Sequence, residues 1–200
     1  MKIIVIGANG TIGRAVADAL APAHDIVRVG FSRGDFRVDI ASKTSIRNLF
    51  RDVGSFDAVV SAAGLAKFGR VDELGDEDYM LGLHNKLMGQ VNLYRVGREL
   101  IRDNGSFTLT SGVLSQNPMP GSASISMVNA AIEGFVRAAA LETRRGIRVN
   151  VVSPIWVRET LIAMGMDASE GMPAAQVAFA YKESVEGDRN GEVLDVRRFV

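Results

Sequence analysis

Four consecutive apolar residues, Ile3, Ile4, Val5 and Ile6, followed at once by Gly7, constrain this chain more than any other feature. A run this short, mostly β-branched and without polar alternation, fits a strand buried on both faces of a parallel sheet. Glycines then recur at every third position, Gly7, Gly10 and Gly13, and Arg14 to Leu20 continue in a helical pattern. Strand, glycine turn and helix in that order let backbone N–H groups approach a diphosphate and aim the positive end of the helix dipole at it. Gly7, Gly10, Thr11, Ile12 and Gly13 are therefore candidate ligands of a nucleotide, with a plain structural turn as the alternative.

The 200 residues, 47% of them hydrophobic, suit one globular domain with a sizeable core. A formal net charge of zero argues against a broad nucleic-acid or anionic-membrane footprint, which needs a basic surface of one sign. The absence of cysteine removes disulfides, a thiolate nucleophile and cysteine metal sites, and says nothing of the redox compartment. No metal site is expected. The apolar run after Lys2 is too short for a signal-peptide core or a membrane span, so a cytoplasmic location is the default expectation.

Further along, Asp25 to Gly30 is expected as a second strand and Val38 to Ile40 as a third short element, with Ser42 or Thr44 capping a helix over 45–53. The loop leaving the second strand carries Arg33 and Asp35. A dinucleotide domain that prefers NAD holds the ribose 2′-hydroxyl with an acid near this strand end, and an arginine there accommodates a 2′-phosphate. Arg33 thus favours NADP(H), and Asp35 keeps NAD(H) open. Asp57 to Val60 is the next buried strand, running into the small residues Ser61, Ala62, Ala63 and Gly64, against which a ligand can lie. A long helix is expected from Asp76 to Arg102, interrupted by Gly82 and Gly89 and ended by Asn104-Gly105, with Arg95, Arg98 and Arg102 on a solvated or subunit-facing edge. A strand over 106–110, a helix over 124–144 and strands over 147–152 and 191–196 complete an α/β alternation. The expected architecture is a Rossmann-like, doubly wound parallel sheet in three layers and a single domain.

The order of these pieces resembles the short-chain dehydrogenase/reductase family along nearly the whole chain. Gly7, Gly10 and Gly13 resemble its cofactor loop, Asp39-Ile40 its acid-plus-aliphatic pair beside the adenine, and Ser61-Ala62-Ala63-Gly64 its Asn-Ala-Gly segment. Thr108-Leu109-Thr110-Ser111-Gly112 is similar to the strand that ends in the catalytic serine, which points to Ser111. Ala130 to Phe135 and Gly146 to Pro154 resemble the fifth helix and sixth strand. Anchoring on Ala130 to Phe135 sets the family's Tyr-x-x-x-Lys motif on Ile125 and Asn129, where neither catalytic residue stands, and sets Lys86 at the fourth-helix asparagine. Lys86 is therefore expected near Ser111 as a replacement acid, with Ser111 or Ser124 orienting a carbonyl; the alternative is an ordinary surface lysine. His84, two residues away, faces elsewhere on a helix.

Pro154 and Ile155 follow the sixth strand where the resemblance sets the nicotinamide, and Trp156, the only tryptophan, is expected in the wall of the substrate pocket. A short lid over about 156–173 contains Met164, Met166 and Met172, which suit an adaptable apolar cover. The leading expectation is an NADP(H)-dependent oxidoreductase of the short-chain type acting on a small carbonyl or alcohol. The alternative is a catalytically degenerate dinucleotide sensor, and isomerisation or elimination on the same scaffold has less support. A homodimer or homotetramer is expected under either of the first two readings, because the alanine- and glycine-rich helix after Ser124 occupies the family's subunit-contact position.

Overall fold

The computed structural model describes all 200 residues. Seven parallel strands form one sheet: β1 Lys2–Ile6, β2 Asp25–Gly30, β3 Phe36–Arg37, β4 Phe56–Ser61, β5 Ile101–Thr110, β6 Arg148–Ser153 and β7 Val193–Asp195. Their spatial order is β3-β2-β1-β4-β5-β6-β7. The chain winds outward from β1 to β3, crosses back to β4 beside β1, and winds outward the other way. The carboxyl ends of β1 and β4 therefore flank the point where the order reverses, the usual place for a ligand in such a sheet.

Alternation along the strands divides the core in two. Ile4 and Ile6 join Val59, Phe107 and Val149 on the face covered by α2 (Lys43–Val53), α4 (Met88–Gly97) and α5 (Ala123–Ala140). Ile3 and Val5 join Ala58 and Val60 on the face covered by α1 (Thr11–Leu20) and α7 (Ala174–Glu186). Burial on both faces explains why the first strand is apolar throughout; each such side chain contributes about 1.5–3 kcal/mol relative to exposure. This is the expected doubly wound sheet in three layers.

Several local expectations are corrected. The third strand is Phe36–Arg37, because only these residues reach the sheet edge, opposite Val29 and Gly30. Val38 and Ile40 turn inward to the core while the Asp39 N–H donates to Ser45 Oγ. Ser42, and not Thr44, caps α2, its hydroxyl accepting from the Ser45 N–H at 3.2 Å. The long helix ends at Gly97, where it packs on Phe107 and Phe50, so Arg102 lies in β5 and pairs with Asp57 at 3.0 Å. Asn104-Gly105 is a bulge inside β5: Phe56 pairs with Ile101, yet Ala58 pairs with Ser106, and the surplus residues loop out. Gly82 and Gly89 do not break the helical path from Asp76 to Gly97. Between α3 (Asp76–Leu81) and α4, residues Gly82–Leu87 form a π-helical turn, and Gly89 admits Ile40. The fifth helix stops at Ala140, four residues before the expected end, in a turn closed by the Thr143 hydroxyl donating to the Ala140 carbonyl. Within the expected lid, α6 (Arg158–Ala163) was not foreseen; Val157 bridges to Met172, which is buried, while Met164 and Met166 are exposed.

Candidate active site

Gly7 has φ of +85°, and a methyl on it would sit 2.5 Å from the Ala62 carbonyl oxygen. A methyl on Gly13 would overlap the Gly7 carbonyl oxygen. These two positions bring the turn and the first helix against β4, as the threefold glycine spacing implies. Gly10 is the N-cap of α1 and offers no side-chain cap, and the Thr11, Ile12 and Gly13 N–H groups make no hydrogen bond within the chain. Three unpaired amides at the positive end of a helix form an anion cradle. The residues present thus fit a dinucleotide diphosphate.

Above the carboxyl ends of β4, β5 and β6 lies a cavity of about 490 Å³. It collects Ile12, Ala62, Ala63, Gly64, Lys86, Ser111, Pro154, Ile155 and Trp156 from distant parts of the sequence. Phe68 stands beside Trp156, their ring centroids 6.3 Å apart, and Leu114, Ile125 and Met164 add apolar wall. Lys86 is the only charged side chain in the lining. Ser61 and Ser124, expected at the site, are both fully buried and outside the lining. The Ser61 carbonyl accepts from Thr110 Oγ1 at 2.6 Å. Ser124 faces Gly82, because the turn of α5 that presents Ile125 and Asn129 to the cavity rotates Ser124 away from it.

Lys86 is carried on the π-helical turn, and its aliphatic stem crosses the bare Cα of Gly64, where an added methyl would lie 2.6 Å from Cγ. Its Nζ donates to Asn129 Oδ1 at 2.7 Å and to the Ser111 carbonyl oxygen at 3.2 Å. The Asn129 amide is itself oriented, with Nδ2 donating to the Gly112 carbonyl at 3.3 Å. Burial pushes the Lys86 ammonium down from its ordinary value to about 8. Ser111 is 3% exposed, and its hydroxyl donates to Glu133 Oε1 at 3.0 Å.

Neither Asn129, as the partner of Lys86, nor Glu133 was foreseen. The available signal was their spacing: Ile125, Asn129 and Glu133 recur at i, i+4 on one face of α5, and Glu133 is a lone carboxylate in an apolar stretch. Gln90 was also missed. It is fully buried, takes the Thr110 N–H at 2.7 Å, returns a bond to the Thr110 carbonyl at 2.9 Å and donates to the Lys86 carbonyl at 3.2 Å, so it fastens the end of β5 to the helix that carries Lys86.

At the other end of the cradle, Arg33 is exposed and makes no ion pair, and the loop holding it is tied by Asn9 Nδ2 donating to the Arg33 carbonyl at 2.7 Å. Asp35 spends its carboxylate on the Arg28 N–H at 2.8 Å. Asp39 accepts from the Ala41 N–H at 3.0 Å, and the Ile40 side chain is buried in the core. No tyrosine lines the cavity: Tyr94 packs between Phe107 and Phe135, Tyr79 lies on α3, and Tyr181 is buried behind β5 with its hydroxyl on Thr110 Oγ1 at 2.7 Å. No group of His, Asp and Glu side chains has metal-binding geometry, and no helix is long and apolar enough to cross a membrane.

A family model described as Enoyl-(Acyl carrier protein) reductase matches residues 4–196. A hydroxynaphthalene reductase from Aspergillus fumigatus is 27% identical over 180 residues, covering 84% of this chain and 66% of its own length. A 3-oxoacyl-[acyl-carrier-protein] reductase from Mus musculus is 26% identical and covers 98% of this chain and 87% of its own. Among solved structures, the protein lin1944 from Listeria innocua is 40% identical with a TM-score of 0.94, covering 98% of this chain and 99% of that one. A small-chain dehydrogenase in complex with NADPH is 26% identical with a TM-score of 0.87, covering 98% and 95%.

Proposed function

The chain belongs to the short-chain dehydrogenase/reductase family of oxidoreductases, and we propose that it exchanges hydride between NADP(H) and a small carbonyl or alcohol, with Lys86 carrying the proton. The single observation behind this reading is the fixed direction of the Lys86 amine. A protonated amine has three hydrogens. Two point to Asn129 Oδ1 and the Ser111 carbonyl. The third faces the cavity that Lys86 lines, and removing it leaves a lone pair in the same direction. One site on Nζ thus donates a proton to a developing alkoxide or takes one from an alcohol, at a pKa of about 8. When bound, the nicotinamide supplies the hydride.

The chain's own residues do the holding. Gly7, Gly10, Thr11, Ile12 and Gly13 cradle the diphosphate, Ala62 to Gly64 give it a flat floor, and Pro154 and Ile155 border the nicotinamide. Arg33 takes the 2′-phosphate. Its freedom from ion pairs, the commitment of Asp35 to the Arg28 amide and the NADPH bound in a related dehydrogenase all support NADP(H) over NAD(H). Trp156, Phe68 and Ile125 exclude water from the carbonyl, and residues of about 156–173 cover the mouth.

Titrating the protein with NADPH and NADH, and following Trp156 fluorescence, is expected to show preference for NADPH. NADPH oxidation with a panel of small carbonyls is expected to proceed, with kcat/KM level below about pH 8 and falling above it, because reduction needs the ammonium. Lys86→Met should lower kcat by about 100-fold or more with NADPH affinity retained. Turnover unchanged in that variant would sink the assignment of Lys86, and tight NADPH binding without turnover of any carbonyl would point to a sensor instead.

A further inference from the structure

Glu133 takes no part in the proton path above, yet it is 3% exposed in the middle of α5. Its Oε1 accepts from Ser111 Oγ at 3.0 Å and from Ser115 Oγ at 2.6 Å. Burying a carboxylate is costly unless donors compensate it, and here two serine hydroxyls do so. The second acceptor near the Ser111 hydroxyl is the Val152 carbonyl at 3.5 Å, again on the protein side. A serine hydroxyl has one proton. Directed at Glu133, that proton does not reach a carbonyl in the cavity. The main chain of Ser111 has a different duty, since its carbonyl oxygen is one of the two acceptors that aim Lys86 Nζ. The single Ser115 proton goes to Glu133, the nearer acceptor, with the Gly112 carbonyl of the same turn 3.1 Å from the hydroxyl oxygen, and Gly112 is the residue that orients the Asn129 amide.

These bonds converge. Asn129 and Glu133 stand one helical turn apart on α5, the first gripping Lys86 directly and the second gripping the segment 111–115 that supplies its other acceptor. Resting on the reading of Lys86 as the proton carrier, we propose that Glu133 is a positioning residue for Lys86, acting through Ser111 and Ser115, and that Ser111 is a link in this chain and donates no hydrogen bond to the substrate. Ser111→Ala, which keeps the backbone carbonyl, then differs sharply from what a substrate-contacting serine predicts. The titratable groups on the elements packed around Lys86 are His84 on its own turn, Asp76, Glu77, Asp78 and Tyr79 on α3, Tyr94 and Arg95 on α4 and Glu133 and Arg137 on α5. None of them hydrogen-bonds or ion-pairs with Nζ.

The test combines carbonyl reduction with a direct titration of Lys86, read from its ¹³Cε resonance and assigned with Lys86→Arg. Ser111→Ala, which cuts one of the two links and keeps the Ser111 carbonyl, should lower kcat by about threefold and move the Lys86 midpoint partway down, whereas Glu133→Ala, which cuts both, should lower kcat by about tenfold or more and move the midpoint further down, because the ammonium loses a fixed acceptor. Glu133→Gln, which still accepts from both serines, should restore both readouts. A loss of about 100-fold in Ser111→Ala would overturn the proposal, as would a Glu133→Ala protein with unchanged kcat and titration. Where Glu133→Ala fails to fold, Ser111→Ala/Ser115→Ala, which cuts both links and keeps Glu133, should give the same loss of kcat and the same move of the midpoint, and a double variant unchanged in both would overturn the proposal. Should the wild-type protein reduce no carbonyl, the functional reading fails while the titrations of Ser111→Ala and Glu133→Ala still test the positioning role.

Discussion

At the scale of single residues, the buried ammonium of Lys86 works against stability. Its pKa falls from an ordinary 10.5 to about 8 on burial. Below pH 8 the folded and unfolded chains both hold the proton, and folding carries the full cost of burying the charge. Between about 8 and 10.5 the unfolded chain holds the proton and the folded chain sheds it, so stability contributed by this group rises with pH through that window. The difference between those two values corresponds to about 3 kcal/mol. The stability of the wild-type protein relative to Lys86→Met is therefore expected to rise by up to that amount between pH 7.5 and 10.5, measured by paired urea denaturations. A difference that stays flat with pH would show that the amine is solvated. Other residues work through what they lack. Gly13 has no methyl to strike the Gly7 carbonyl, and Gly64 has none to strike the stem of Lys86. The first was legible from the glycine spacing. The second was not, because residues 64 and 86 meet only across the sheet end.

At the scale of elements, the π-helical turn Gly82–Leu87 decides where Lys86 points. A π turn holds one residue more than the α-helical path and displaces the side chains on it, which is why such turns recur at functional sites. Glycine at 82 lies against Val128 on α5, so the turn is wedged close to the helix that carries Asn129. Deleting the exposed His84 should return the segment to α geometry and rotate Lys86 off Asn129. The expected result is far-ultraviolet circular dichroism close to that of the wild type, with carbonyl reduction reduced to the level of Lys86→Met. Retained activity in the deletion would show that the turn is not what aims the amine. Strands were legible from their apolar runs, and the helix ends were less so. Asn104-Gly105 has the composition of a helix stop, yet the pairing of Ser106 with Ala58 draws it into a strand bulge. The true helix end at Gly97 is set by the phenylalanines it packs on.

At the scale of the whole molecule, α5 is the surface on which self-association is expected. Met127, Ala130, Gly134, Ala138 and Leu141 lie exposed along the helix beyond its buried face, and Gly134 has open space at its Cα. A dimer or tetramer formed through this face is expected in solution, and Gly134→Arg is expected to give the monomer mass by light scattering without loss of the folded core. A wild-type monomer would end this reading. Because α5 also carries Asn129 and Glu133 on its inner face, the outer surface and the site share one rigid element.

The linear order of residues determined the strand count within one short piece, the glycine cradle and the doubly wound class, since each depends on local spacing: buried parallel strands are apolar without a break, and a diphosphate turn needs glycine at fixed intervals. The family resemblance set Ser111 and Lys86 near each other, and the rule that such sheets bind ligands beyond the carboxyl ends of their strands set Trp156 at the same end of the molecule. Only the tertiary structure decided how those residues are used. That Lys86 rests on Gly64, points at Asn129 and borrows the carbonyl of Ser111, or that Ser124 faces Gly82 and Glu133 holds two serines, depends on helix rotation and on contacts between residues tens of positions apart. A rotation of one residue, about 100° on a helix, changes which side chain meets the cavity, and no local pattern in a single sequence fixes that angle.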